Sequence, residues 1–446
     1  MNIVPNSFHI ISLGCAKNLV DSSGIIRYLD LNGYAQSDEF RSANFIVVNT
    51  CGFVEDARKE SIETLAKLSH KKAKGQYLIA AGCLSQRYQQ ELQKKVPGID
   101  GIMGTRNLAD ILTVVRNLSD HAVGQKDQAF LNYPKLVNQP GISATAIQGG
   151  SSYLKISDGC RRGCAFCAIP LIKGPLVSRP QPEIITDAIN LQSEGVKEIN
   201  LIAQDVTDYA ADIGETNGLS ELLSNLLPQI PLVPWVRLLY TYPGNVSDRL
   251  IDLMAGENQL LPYLDMPLQH ADPEVLRSMQ RPSDMDGVKK SLEDMRRRIP
   301  DLVTRTTMIV GFPTETEASF TKLKDFVREF EFDHLGVFTY SMEKGTPAEK
   351  LGDPISAKIK HERMDELMRL QAEISLKKNQ SLKGQQLQML VEGVDPKQNV
   401  LIGRTFRDAP EIDGLVIATG NATQGDLITV RVTGVFPYDL YAEQVS

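Results

Sequence analysis

The stretch Tyr153-Leu154-Lys155-Ile156-Ser157-Asp158-Gly159-Cys160-Arg161-Arg162-Gly163-Cys164-Ala165-Phe166-Cys167 decides how the chain is read. Residues 153–157 read as a short strand, stopped by Asp158 and Gly159. Three thiols at C-x-x-x-C-x-x-C spacing follow at once. In parallel α/β architectures the loops past the C-terminal strand ends carry the chemistry. Thiolates are soft ligands that select iron–sulfur clusters, zinc or copper(I). A structural zinc site needs a fourth ligand, and no other Cys or His stands near in sequence. A [4Fe–4S] cluster on three thiolates keeps one iron open, as a catalytic cluster requires. The plainer alternatives are a zinc loop or chance clustering.

Outward from this loop, short strands are expected at 153–157, 199–203, 236–240, 263–267, 306–310 and 335–340, with helical patterns between them, such as 182–194 and 319–330. Six such βα repeats predict an incomplete barrel of the TIM kind. A charged helix over about 357–380 leads out of it. Upstream, strands at 8–13, 45–49, 77–81 and 101–103 alternate with helical patterns at 19–31, 55–69, 86–95 and 108–118. That alternation implies a parallel sheet with helices on its faces. Residues 119–150 are rich in Gly, Pro, Ser, Asn and Gln without period and read as a linker. Downstream, short strands at 387–392, 400–406, 414–419, 427–435 and 440–443 predict a small all-β barrel. The expected fold class is therefore α/β with a C-terminal all-β domain. Its divisions are 1–120, a linker over 121–150, 151–380 and 381–446.

Composition narrows the function. The chain has 446 residues with Lys+Arg 48 against Asp+Glu 55, a net charge of −7, which disfavours a globally basic nucleic-acid binder. It has only six cysteines, at 15, 51, 83, 160, 164 and 167, too few for a disulfide scaffold. Residues 1–14 do not read as a signal peptide, and no apolar run approaches a membrane span. Asn117, Asn245 and Asn421 fit the glycosylation pattern by chance in a cytoplasmic protein, where thiols stay reduced.

Cys15, Cys51 and Cys83 lie 36 and 32 residues apart, beyond local motif spacing. Yet each follows one strand of the first domain, in Leu13-Gly14-Cys15, Asn49-Thr50-Cys51-Gly52 and Ala81-Gly82-Cys83. Residues just past the ends of parallel strands share one edge, where ligands bind. Three thiols one βα unit apart can converge there, with glycines permitting a tight backbone. Three unrelated buried cysteines are the alternative.

These residues resemble the radical SAM methylthiotransferases, over nearly the whole chain. Ser12-Leu13-Gly14-Cys15-Ala16-Lys17-Asn18, Asn49-Thr50-Cys51-Gly52-Phe53 and Gly82-Cys83-Leu84 look like the family's three N-terminal motifs. The nearest likeness is the branch that modifies ribosomal protein S-twelve. It rests on Ala203-Gln204-Asp205-Val206-Thr207-Asp208-Tyr209, Leu264-Asp265-Met266-Pro267-Leu268-Gln269-His270, Val337-Phe338-Thr339-Tyr340-Ser341 and Asp408-Ala409-Pro410-Glu411-Ile412-Asp413-Gly414. Gly311-Phe312-Pro313-Thr314 departs from the pattern, which commonly has glycine in the fourth place, and the Gly-Gly-Glu run of many radical SAM enzymes is absent.

The resemblance implies two [4Fe–4S] clusters, a catalytic one on Cys160, Cys164 and Cys167 and an auxiliary one on Cys15, Cys51 and Cys83. It implies S-adenosyl-L-methionine as cofactor, cleaved by one-electron reduction to a radical that activates the β-carbon of an aspartate. A second S-adenosylmethionine would methylate the inserted sulfur. The implied partners are ribosomal protein S-twelve and a flavodoxin- or ferredoxin-type electron donor, and the implied C-terminal module is a TRAM domain. Ser178, Arg179, Gln204, Asp205 and Gln269 follow predicted strands or the cysteine loop and are the expected cofactor contacts; the alternative is a helix-entry loop, with Pro182 in the first turn, for Ser178 and Arg179, and a structural hydrogen bond for Gln204, Asp205 and Gln269. His270 is not expected to be a cluster ligand. Arg296, Arg297 and Arg298 precede Pro300 at a helix end and read as a solvated terminus. The rival substrate is a tRNA adenosine. Residues 383–446 carry five basic and eight acidic side chains, a net of −3, which favours a basic protein over RNA.

Overall fold

The computed structural model describes residues 3–120, 142–395 and 397–445. They form two compact units, one of the described residues within 1–146, 154–162 and 167–183, the other of those within 147–153, 163–166 and 184–446.

The first unit is built on strands β1 (Val4–Ser12), β2 (Ala35–Gln36), β3 (Ala43–Thr50), β4 (Tyr77–Gly82) and β5 (Gly101–Ile102). They form one sheet in the order β2-β1-β3-β4-β5, with every pair parallel. The alternation in β3 shows why: Phe45 and Val47 enter one core with Phe8, Ile25, Leu29 and Val114, while Ile46 and Val48 enter a second with Leu65, Leu78 and Leu92. A strand that is apolar on both faces must be covered on both, which parallel crossovers achieve. Each such side chain contributes roughly 1.5–3 kcal/mol by leaving water. Of these five strands only the two-residue β2 lay outside the expected ones. The sequence-based helices at 19–31, 55–69, 86–95 and 108–118 appear as Ala16–Leu31, Glu55–Lys71, Cys83–Lys95 and Asp110–Asp120.

Further along the chain come β6 (Thr145–Gln148), β7 (Ser151–Lys155), β8 (Ser157–Asp158), β9 (Val177–Ser178), β10 (Glu198–Ile202), β11 (Trp235–Leu238), β12 (Tyr263–Asp265), β13 (Val303–Val310) and β14 (His334–Thr339). One sheet runs β11-β10-β7-β6 and another β12-β13-β14, and Val236 of β11 makes an isolated parallel bridge to Leu260, just ahead of β12. Strands β7 and β10–β14 are the six expected of the incomplete barrel. Edge strand β6 lies in the stretch read as linker, which therefore ends before Thr145. Its Gly and Pro content misled because Gly149, at φ +58°, is the turn between β6 and β7. Residues 121–141 of that stretch lie outside the described residues.

The Ala357–Gln380 helix leads to β15 (Gln386–Asp395), β16 (Val400–Thr405), β17 (Val416–Thr419), β18 (Leu427–Val435) and β19 (Leu440–Gln444), which close a barrel in the order β15-β16-β17-β19-β18. Within the second unit this barrel is bolted to the starts of the half-barrel strands. Glu198, the first residue of β10, bonds Arg237 at 2.9 Å and Arg404 at 2.6 Å, with all three side chains fully buried. Asp413 accepts from Tyr263 Oη at 2.5 Å and from Arg305 Nε at 3.2 Å. His334, the first residue of β14, bonds the Arg407 carbonyl at 2.8 Å.

Candidate active site

In the first unit the sheet order reverses between β1 and β3, the switch point where α/β sheets open a crevice at their C-terminal strand ends. Cys15 follows β1, Cys51 follows β3, and Cys83 opens the helix after β4. Glycines bring these loops together. Gly14 has φ +94°, and a Cβ there would fall 2.7 Å from Cys51 Cβ. Gly82 has φ +95°, and a Cβ there would meet the Thr50 carbonyl at 2.6 Å. Both positions need glycine for conformation and for space.

Asn18 joins the three loops. Its Nδ2 donates to the carbonyls of Leu13 at 2.8 Å and Thr50 at 3.1 Å, and its Oδ1 accepts from Cys83 Sγ at 3.5 Å. Asn49 Nδ2 donates in turn to the Asn18 carbonyl at 2.8 Å. Cys51 and Cys83 are buried and Cys15 is exposed. Burial pushes the Cys51 thiol up, opposed by hydrogen bonding from the Phe53 amide. Burial pushes the Cys83 thiol far up; Lys173 opposes this, while repulsion from Cys15 and Cys51 adds to it. Crowded thiols of this kind fit a ligand that brings its own positive charge and takes them as thiolates.

In the loop that carries Cys160, Cys164 and Cys167, backbone amides turn toward sulfur. Arg162 N donates to Cys160 Sγ at 3.4 Å and Ile169 N to Cys167 Sγ at 3.5 Å. Such bonds favour thiolate over thiol. Gly159, at φ +75°, lets this loop pass the Pro175 carbonyl, from which a Cβ would stand 1.9 Å away. In the second unit, Ala165 N donates to the Met279 carbonyl at 2.8 Å, and Arg281 Nη1 reaches Cys164 Sγ at 3.7 Å. Among the described residues no three Cys, His, Asp or Glu side chains are already gathered as a metal site.

Sequence patterns missed a buried charge cluster in the first unit. Lys173 Nζ meets Asp21 Oδ2 at 2.6 Å, Thr105 Oγ1 at 2.7 Å and Asp158 Oδ2 at 3.3 Å. Lys155 Nζ meets Asp21 Oδ1 at 2.6 Å and Asp158 Oδ2 at 3.1 Å. Asp21 lies on the helix that starts just after Cys15; Asp158 and Lys173 bracket the loop that carries Cys160 and Cys167. No local motif announces this arrangement.

The other expected residues are placed as follows. Ser178 pairs with Ser157 between β9 and β8. Arg179 Nη1 donates to the Lys155 carbonyl at 2.9 Å and its amide to that of Ile156 at 3.0 Å. Asp205 Oδ1 accepts from Thr207 N at 3.0 Å, capping the turn over Val206–Asp208, and Gln204 lies two residues past β10. Gln269 has φ +78° and a buried Oε1 with no hydrogen-bond partner among the described residues. His270 is fully buried; its Nδ1 accepts from Asp272 N at 2.9 Å and its Nε2 lies 3.4 Å from Glu315, a structural setting.

Three family models match this chain: the uncharacterized protein family UPF0004 over residues 7–104, the radical SAM superfamily over 154–327 and the TRAM domain over 384–445. A protein of Roseiflexus sp. (strain RS-1) named ribosomal protein uS12 methylthiotransferase RimO is 42% identical, over 98% of this chain and 97% of the relative. The chain belongs to the RimO family. RimO relatives of Trichlorobacter lovleyi (39% identical, covering 100% of this chain and 99% of the relative) and Chloroflexus aurantiacus (42%, 98% and 100%) agree. The fold of this RimO-family chain is also similar to the radical S-adenosylmethionine methyltransferase TsrM of Kitasatospora setae. That likeness has a TM-score of 0.56 at 13% identity and covers 77% of this chain and 76% of the other. The chain is a radical SAM enzyme of the methylthiotransferase kind, and its family implies S-adenosylmethionine and [4Fe–4S] chemistry. Among the described residues no helix is long and apolar enough to cross a membrane.

Proposed function

We propose that this enzyme methylthiolates the β-carbon of an aspartate in ribosomal protein uS12, in the cytoplasm, drawing electrons from a flavodoxin- or ferredoxin-type donor. The observation that carries the reading is the tie made by Asn18 between three cysteine-bearing loops at the β1/β3 switch point, in a chain whose full-length relatives bear the RimO name.

On this reading Cys160, Cys164 and Cys167 hold one [4Fe–4S] cluster and Cys15, Cys51 and Cys83 a second. When bound, these groups and S-adenosylmethionine supply the one-electron, sulfur and methyl chemistry that ordinary side chains lack. The chain's own residues position them. Asn18 and the glycines hold the first triad's loops. The amides of Arg162 and Ile169 orient two thiolates of the other triad. The Gln269 Oε1 offers a buried acceptor to a cofactor donor, and Ser178 and Gln204 offer further polar contacts. Arg179 and Asp205 act by shaping their loops, since the Arg179 amide and Nη1 and the Asp205 Oδ1 already have backbone partners. The domains run 1–120, 151–380 and 381–446, with β6 added to the second.

Two measurements test this. Mass spectrometry of the uS12 peptide from a deletion strain should show the methylthio group gone; its persistence overturns the substrate, and loss of a methylthio-nucleoside from tRNA instead would favour the tRNA reading. Anaerobic iron and sulfide analysis with EPR should show two clusters in the wild type. Triple alanine variants of either triad should each keep one.

A further inference from the structure

We propose that Arg281 sets the electron affinity of the cluster held by Cys160, Cys164 and Cys167, by fixing a cation and an N–H donor on the Cys164 sulfur. The inference rests on the cluster assignment above.

The guanidinium is held from several sides. Nη1 donates to Cys164 Sγ at 3.7 Å, Nη2 donates to the Pro267 carbonyl, and the group lies over the Tyr242 ring at 4.2 Å from its centre. Its Nε is buried with no hydrogen-bond partner among the described residues. Backbone bonds fix the distance. Ala165, next to Cys164, donates to the Met279 carbonyl at 2.8 Å, and Arg281 N donates to the Leu276 carbonyl at 2.9 Å. Cysteine and arginine are thus tied to one turn.

The charge differs from that of four other arginines. Arg237, Arg404, Arg305 and Arg363 each face a carboxylate within 3.2 Å. Among the described residues no carboxylate forms an ion pair with Arg281, and arginine does not lose its proton. Reducing a thiolate-bound cluster by one electron adds a negative charge. A fixed cation and a hydrogen bond to ligand sulfur favour the reduced form and raise the potential. Sequence reading passed over Arg281 because it lies 117 residues from Cys164 and in no cysteine motif.

The test is an EPR-monitored redox titration of full-length, anaerobically reconstituted protein with a chemical reductant. Arg281→Met removes the charge and Arg281→Lys keeps it. The Met variant should shift the Cys160/Cys164/Cys167 cluster to a more negative potential, by about 59 mV for each tenfold loss of electron affinity. The Lys variant should fall between it and wild type, and the second cluster, titrated in the same sample, should not move. Unchanged potentials in both variants overturn the proposal. If the Met variant loses its cluster, Arg281→Gln and Arg281→Lys decide: equal potentials overturn it, a lower one in Gln supports it. A wild-type protein without iron at this triad overturns the cluster assignment and this inference together.

Discussion

Lys173 Nζ lies 2.6 Å from Asp21 Oδ2, and both side chains are 2% exposed. With Lys155 and Asp158 they form a buried set of two cations and two anions. Burial lowers the Lys173 pKa, but Asp158 and Asp21 more than reverse this and raise it above the ordinary lysine value. Because the helix bearing Asp21 begins beside Cys15, and Lys173 lies six residues past Cys167, the pair couples the folding of the two cysteine loops.

Lys173→Met should therefore be costly. It leaves Asp21 and Asp158 sharing Lys155, and breaking a buried pair costs about 3–5 kcal/mol. Urea denaturation should show the loss. A double variant with Asp21→Asn should cost less than the two single changes together, the sign of direct coupling.

Gly14→Ala puts a methyl group 2.7 Å from Cys51 Cβ and forces φ +94° on an L side chain. The loops of Cys15 and Cys51 must part. The purified variant should carry about half the wild-type iron, with the EPR signal of the Cys160/Cys164/Cys167 cluster intact. Full iron content would contradict this account of the glycine.

Asn18→Ala removes the donor to two carbonyls, at least one of them buried, and the acceptor for Cys83. An unmet buried polar group costs about 1–3 kcal/mol. The expected readout is a lower denaturation midpoint, together with faster iron release from the N-terminal triad in the presence of a chelator.

Glu198 predicts a pH dependence. Burial opposes its charge, but Arg404 and Arg237 outweigh burial and hold its carboxyl at about 2, below its ordinary 4.5. A depressed acid pKa stabilises the folded state above the unfolded value and loses that contribution as pH falls through the folded one. The stability gap between wild type and Glu198→Gln should be full above about pH 4.5 and close as pH falls toward about 2. Thermal unfolding across that range should show a gap of about 3 kcal/mol at its largest. A gap independent of pH would refute the ion-pair account.

The strand and helix pattern was legible because apolar side chains on both faces of β3, and the breaks between elements, are local properties. The two cysteine triads were legible for a related reason: each thiol follows a strand, and parallel strands end at one edge. Charge was not legible. Composition counted Asp408, Asp413 and Arg404 toward the outer charge of the C-terminal domain, yet Asp413 faces Arg305 and Tyr263 in the interior and Arg404 faces Glu198. The net of −3 is therefore not the charge that a partner meets. Arg296 was read as solvated, but it lies 4.1 Å from the Phe330 ring centre and donates to the carbonyls of Phe330 and Glu331. Arg298 does bridge outward to Asp248 and Asp252. Asn18 reaches Thr50, Arg281 reaches Cys164 and Lys173 reaches Asp21 across 32, 117 and 152 residues, where no motif can announce them.

The bolting of the C-terminal barrel to the half-barrel bears on how such chains can be re-engineered. A sequence scan presents that barrel as a detachable cassette at the chain's end. Glu198, Tyr263, Arg305 and His334 instead make up half of a lock whose other half is Arg404, Arg407 and Asp413. A barrel transplanted from a distant relative would arrive without its matching half and leave full charges stranded in the interior. Exchange between relatives should succeed only when both halves travel together.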